Sequence, residues 1–99
     1  MNARYSTVAL VEVAEAVDWY LSRPSGGRRL ADRFVDELTR VEQLAVERPL
    51  AWPEVDPGVR RLVLDRFPFA LIYEVEGDAL WILAVAHHRR RPGYWRDRG

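Results

Sequence analysis

The spacing of apolar residues changes once along this chain, near Gly58, from a period of about 3.6 residues to a period of 2. A helical first part and a stranded second part are the only readings that accommodate both periods. From Thr7 to Ser22, Val13, Val17, Tyr20 and Leu21 recur at helical spacing behind the hydroxyl pair Ser6-Thr7, a candidate N-cap. Pro24, Ser25, Gly26 and Gly27 form the strongest breaker in the chain. Beyond it Leu30, Phe34, Leu38, Val41 and Ala45 predict a second helix to about Glu47, antiparallel to the first. Asp32, Asp36 and Glu37 interleave with Arg28, Arg33 and Arg40 on that helix and read as a solvated face.

Pro49, Pro53 and Pro57 bracket an irregular connector containing Trp52. Three strands are then predicted, from Val59 to Asp65, Phe69 to Glu76 and Ala79 to His87, with Gly77-Asp78 as the two-residue hairpin turn of the last pair. A short strand at Asn2 to Tyr5 suits a sheet edge. The prediction is an α+β fold of two layers, β-α-α-β-β-β, with a helical hairpin on a small, mostly antiparallel sheet. Ninety-nine residues predict one domain, 1–99.

Counting outward from Gly77-Asp78 predicts the register. Val75 faces Leu80, Tyr73 faces Ile82, Leu71 faces Ala84 and Phe69 faces Ala86 on one side of the hairpin. Glu74 with Trp81, Ile72 with Leu83 and Ala70 with Val85 share the other. The first face should pack against Val13, Val17, Tyr20, Leu30, Phe34, Leu38 and Val41 of the helices. The second is also apolar, and two helices cover only one face, so Ile72, Trp81, Leu83 and Val85 are expected to be exposed or to bind a partner.

Composition narrows the chemistry. Without cysteine there is no disulfide framework, thiolate metal site or thiol nucleophile. The longest apolar run, Ala79 to Ala86, falls far short of the ~20 residues of a membrane helix, and Glu12 interrupts Val8 to Val11 before a signal-peptide core forms, so a cytoplasmic location is expected. Positive and negative charges balance in total, but residues 1–56 hold seven arginines against ten acids, and residues 57–99 hold eight against five. Arg89, Arg90, Arg91, Arg96 and Arg98 crowd the last eleven residues, a cluster suited to phosphate or to an acidic partner. Every cation of the Lys/Arg class is arginine, which reads first as nucleotide bias, since the solvated helix faces lack lysine too.

No glycine-rich phosphate loop, metal-spaced ligand set or serine with an evident base is present, and no cofactor is expected. Chemistry, if any, rests on His87, His88, the arginines and Tyr94. Histidine titrates near neutrality, arginine neutralises a phosphorane-like transition state, and tyrosine orients a ribose or base. Such a set suits metal-free RNA cleavage. The plainer alternative is a surface His-His pair at a strand end, with Tyr94 and Trp95 folded back on the sheet as hydrophobic anchors.

Arg60-Arg61-Leu62, the stretch Arg66-Phe67-Pro68-Phe69-Ala70-Leu71-Ile72-Tyr73-Glu74-Val75 and the stretch from Ile82 through His87-His88-Arg89-Arg90-Arg91-Pro92-Gly93-Tyr94-Trp95 resemble the RelE/ParE toxins of bacterial type II toxin-antitoxin modules, also labelled plasmid stabilisation proteins. Ala16-Val17-Asp18-Trp19-Tyr20 and Arg33-Phe34-Val35-Asp36-Glu37-Leu38 extend the resemblance over nearly the whole chain. It implies the fold above, a cognate antitoxin, and growth inhibition by ribosome-dependent mRNA cleavage or, alternatively, by poisoning DNA gyrase. For the cleaving branch it implies catalytic roles for Arg61, His88 and Tyr94; on that reading Arg89 is expected to add phosphate stabilisation, and Arg60, Arg66, Arg90 and Arg91, as nearby cations, to contact nucleic acid. Ala70 stands where that branch carries an arginine. A different class of reading is a regulatory nucleic-acid-binding domain that uses only the arginine tail.

Overall fold

The computed structural model describes residues 1–98. Strand β1 (Asn2–Tyr5) leads into α1 (Thr7–Leu21), α2 (Gly27–Glu47), and strands β2 (Glu54–Asp56), β3 (Val59–Val63), β4 (Phe69–Glu76) and β5 (Ala79–His87), followed by a 3₁₀ turn at Arg96–Arg98. The sheet order is β1-β5-β4-β3-β2. β1 runs parallel to β5, and the other neighbours are antiparallel. The predicted α+β layering is therefore present, with one strand more than the sequence announced. β2 hides in the proline-rich connector because three residues beside a register shift show no alternation.

Ser6 caps α1 as its sequence position suggested: its Oγ accepts from the Ala9 N–H at 3.0 Å and donates to the Leu83 carbonyl at 3.1 Å. Helix and sheet are thereby fixed at one point. At the other end of α1, Gly27 meets the turn so closely that a Cβ would lie 2.6 Å from the Leu21 carbonyl oxygen and 2.7 Å from that of Tyr20. Only glycine lets α2 start there.

The main core lies between the helices and one sheet face. Tyr20, Phe34, Leu38, Val41, Leu71, Tyr73, Leu80 and Ile82 are buried in it, with Val13, Val17 and Leu30 packed at its margin. All eleven were expected there from periodicity. Phe34 anchors an aromatic cluster with Tyr20, Phe67 and Phe69, ring centres 5.2–5.5 Å apart.

The hairpin register holds only near its turn. Glu76 to Tyr73 pair as counted, but a bulge then inserts Leu83, so that Ile72 faces Ala84, Leu71 faces Val85, Ala70 faces Ala86 and Phe69 faces His87. One extra residue exchanges the faces beyond it. Val85 joins the helix-side core, so the expectation that it belongs to a partner-binding face is corrected.

The second face differs from expectation as well. Val59, Ala70, Ile72, Leu83 and Ala84 form a second buried cluster beneath Trp95, with Trp81, Ala86 and Tyr94 at its edge. Ile72 is 2% exposed, Leu83 3% and Trp95 5%. The chain's own tail covers the surface expected to await a partner, and Trp81 alone of the four expected residues stays half-buried. The plainer reading of Tyr94 and Trp95 as anchors describes their packing.

Candidate functional site

Two concavities flank the C-terminal segment, one on each side of β5. The first, about 240 Å³, lies over the second sheet face. Arg61 enters it from β3, opposite Ile72 on β4, while His88, Arg90, Arg91, Tyr94 and Arg96 enter from the tail. Arg61 and Ile72 belong to the same face because paired residues on adjacent strands point the same way. Arg96 is held in place: its Nε donates to Asp56 Oδ2 at 3.2 Å, and its guanidinium lies against Gly93, whose φ of 78° turns the tail. Arg90 sits over the Tyr94 ring at 4.0 Å.

The second, about 620 Å³, runs beside the edge of β5. β1 ends at Tyr5 opposite Ile82, so β5 has no strand partner on that side from Leu83 onward. Side chains substitute. Glu12 on α1 accepts from the Val85 N–H at 3.1 Å, from the Tyr94 hydroxyl at 2.6 Å and from Arg98 Nη1 at 2.9 Å, and Arg98 also donates to the Leu83 carbonyl at 3.2 Å. Beyond this junction the groove is lined by Glu15, Trp19, Tyr20, Pro68, Phe69, His87, Arg89 and Arg90. His87 stacks edge-on against Phe69, with ring centres 5.0 Å apart, and its Nδ1 accepts from the Arg89 N–H at 3.0 Å. Burial, followed by the charges of Arg89 and His88, lowers the His87 pKa below the usual imidazole value.

The expected catalytic set is thus divided. Arg61, His88 and Tyr94 line the first cavity, whereas Arg89 lines the groove on the other side of β5. Simple alternation places His87 on the Ala70 face, but the bulge reverses this: His87 opposes Phe69 on the helix side, and His88 follows β5 with its N–H donating to the Pro68 carbonyl. Tyr94 is committed to Glu12. Burial, reinforced by that carboxylate, pushes its phenol pKa well above the usual value. Ala70, only 1% exposed, brings no charge to this face.

The expected nucleic-acid arginines divide too. Arg90 and Arg91 line the first cavity. Arg60 points to the helix side, where it donates to the Trp52 carbonyl at 2.7 Å and to Glu54 at 3.2 Å. Arg66 lies in the β3–β4 loop near Glu37 of α2. Glu12 was missed by sequence reasoning, and Arg96 was read only as one of the tail arginines. Glu12 had one visible signal, an acid spaced i, i+4 from Ala16 on the apolar side of α1.

The family model described as "ParE toxin of type II toxin-antitoxin system, parDE" matches residues 4–92. The chain belongs to the ParE toxin family. A solved structure titled "Chromosomal ParDE TA system from P. aeruginosa" contains a chain similar to this ParE-family protein at 26% identity, covering 88% of this chain and 95% of that one, with a TM-score of 0.69. No curated protein matches the sequence. Family membership accounts for the helical hairpin on a mixed sheet and implies a cognate antitoxin. No helix among the described residues is long and apolar enough to cross a membrane.

Proposed function

We propose that this ParE-family protein inhibits growth by binding its target, as a gyrase poison does, rather than by cutting mRNA. The observation that carries this reading is the Tyr94–Glu12 hydrogen bond. A phenol donating at 2.6 Å to a carboxylate already tied to Val85 and Arg98 is a structural anchor, poorly placed to exchange protons with a substrate. Ala70 supports the same conclusion, because β4 brings no cation to the sheet face that Arg61 and the tail share. The mRNA-cleavage reading retains Arg61 and His88 in one cavity, and it is the alternative to be tested.

The antitoxin, in this proposal, docks along the groove beside β5. Trp19 is 54% exposed there, the outer edge of β5 lacks a strand partner, and Arg89 supplies positive charge for an acidic segment. Induced expression of the chain without antitoxin, followed by assays of DNA breaks and mRNA integrity, tests the function. DNA breaks with intact mRNA, and persistent arrest by His88→Ala, are expected. Cleaved mRNA together with loss of arrest in His88→Ala reverses the choice of mechanism.

A further inference from the structure

We infer that a cleft along the outer edge of β3 binds a carboxylate carried, with an acylated amide nitrogen, on a carbon bearing an apolar side chain. This is the chemistry of an N-acyl amino acid and of the last residue of a peptide. The cleft, about 470 Å³, is walled by Val41, Leu44 and Leu62 on the helix side of the sheet and by Arg61 and Val63 on the other. Inside it the strand edge is open. The Arg61 N–H points outward to the Pro53 carbonyl at 3.0 Å, whereas the Leu64 N–H points inward to the Phe69 carbonyl at 2.9 Å. By alternation the Val63 N–H and carbonyl also point outward, past the last β2 pair, Glu54 with Arg60. Among the described residues that N–H has no acceptor.

One residue's length of edge is available, and an antiparallel ligand residue satisfies it twice: its amide N–H donates to the Val63 carbonyl, and its terminal carboxylate accepts from the Val63 N–H. Both ends of the cleft are stopped, by Pro53 and by the Arg40–Asp65 pair at 2.9 Å, so a chain end fits better than a strand passing through. Charge selects the carboxylate. Arg40 is held by Glu37 and Asp65, but among the described residues no carboxylate pairs with Arg61, whose guanidinium is free for a forked contact. The aliphatic wall at Val41, Leu44 and Leu62 takes the apolar side chain on the opposite side of the ligand backbone. Trp52 also lines the cleft, and its indole N–H is, among the described residues, the one buried side-chain polar atom without a hydrogen-bond partner. A turn of that ring toward a ligand oxygen supplies the missing acceptor.

The inference does not depend on the toxin reading, since β4 separates this cleft from β5 and the test is binding in vitro. The full, isotope-labelled chain is titrated with N-acetyl-leucine, N-acetyl-leucinamide and a hexapeptide ending in leucine, with backbone and indole N–H shifts as readout. Saturable shifts at residues 61–64 and at the Trp52 indole are expected with N-acetyl-leucine at millimolar concentration. Replacing its carboxylate by the amide should weaken binding about tenfold or more, and so should Arg61→Gln, which leaves the weak binding of the amide as it was. Leu44→Trp fills the cleft and should abolish binding. Arg61 also lines the cavity beneath the tail, so Arg91→Gln, which touches only that cavity, should leave the N-acetyl-leucine affinity unchanged. Equal affinity for N-acetyl-leucine and the hexapeptide supports the site and assigns it to small acyl amino acids. Tighter binding of the hexapeptide supports it as a site for a chain terminus. Equal binding of acid and amide, equal weakening by Arg91→Gln, or no saturable shift with any of the three ligands overturns the inference. Circular dichroism of each variant separates lost binding from lost fold.

Discussion

The Tyr94 hydroxyl donates to Glu12 Oε2 at 2.6 Å, joining residues 82 positions apart in the chain. Through this contact the first helix holds the tail, and the tail in turn covers the second face of the sheet. Tyr94→Phe removes one charge-assisted hydrogen bond and should lower stability by about 1.5–3 kcal/mol in denaturant unfolding. Glu12→Ala should cost more, because Val85 N–H, Tyr94 O–H and Arg98 all lose their acceptor. Equal stability of Glu12→Ala and the parent would show that the tail is not latched through this carboxylate.

Ile72→Asp should destabilise the protein by about 2–5 kcal/mol, since a buried apolar side chain beneath Trp95 is lost and a carboxylate is desolvated in its place, with Arg61 across the β3–β4 pair offsetting only part of that cost. An Ile72 exposed or held against a partner, as the sequence led one to expect, would instead leave the fold intact when changed. A thermal melt decides between them. A variant that melts with the parent would mean that the tail readily leaves the sheet.

Phe34→Ala should cost about 3–5 kcal/mol, because the ring is fully buried among Tyr20, Phe67 and Phe69. A loss below about 1 kcal/mol is inconsistent with this packing.

Gly27→Ala adds a methyl group against two backbone carbonyls, which cannot swing aside as a side-chain tip can. The helical hairpin must open slightly, at a cost of about 1–3 kcal/mol. The neighbouring exposed position tolerates change better: Ser25→Ala should be close to neutral, and the pair measured side by side isolates the close approach.

Glu37 gives the fold an acid-sensitive tie between α2 and the β3–β4 loop. Its carboxylate accepts from Arg40 at 2.9 Å and from the Asp65 N–H at 2.7 Å, and the Arg40 bond is the principal cause of its lowered pKa. A carboxyl with a lower pKa folded than unfolded binds fewer protons in the native state, so its contribution is complete above the ordinary carboxylate pKa. It disappears as pH falls through the folded value. Glu37→Gln should therefore flatten the acid limb of a stability-against-pH profile measured between about pH 2 and 6. An unchanged limb would exclude this tie as an acid-sensitive element.

Local information determined every element but β2, and the main core. The two helical stripes, the breaker at Pro24–Gly27, the Gly77-Asp78 turn and the helix-side residues from Phe34 to Ile82 follow from periodicity and turn chemistry, both read within a few neighbouring residues. Even the solvated face of α2 was legible, apart from Glu37 and Arg40 reaching across to the loop at Asp65. Resemblance to RelE/ParE toxins was visible in the strand and tail motifs, and the family match bears it out.

What the tertiary structure decided begins with Leu83. A bulge is a compromise between two strands and leaves no mark in the alternation of one, yet it moved Val85 to the core, placed Ala86 rather than His87 on the Ala70 face, and set His87 against Phe69. The tail's destination was equally nonlocal. Trp95 packs on Ile72 and Leu83 because that apolar face lacked a helix, and Glu12 holds Tyr94 and Arg98 because β1 ends before it can pair the rest of β5. Charges adjacent in sequence consequently part company, Arg89 into the β5 groove and Arg91 into the basic cavity, while Arg61 joins Arg91 from a strand thirty residues away. Such meetings depend on which surfaces are left uncovered once the core has formed, a quantity no local pattern contains.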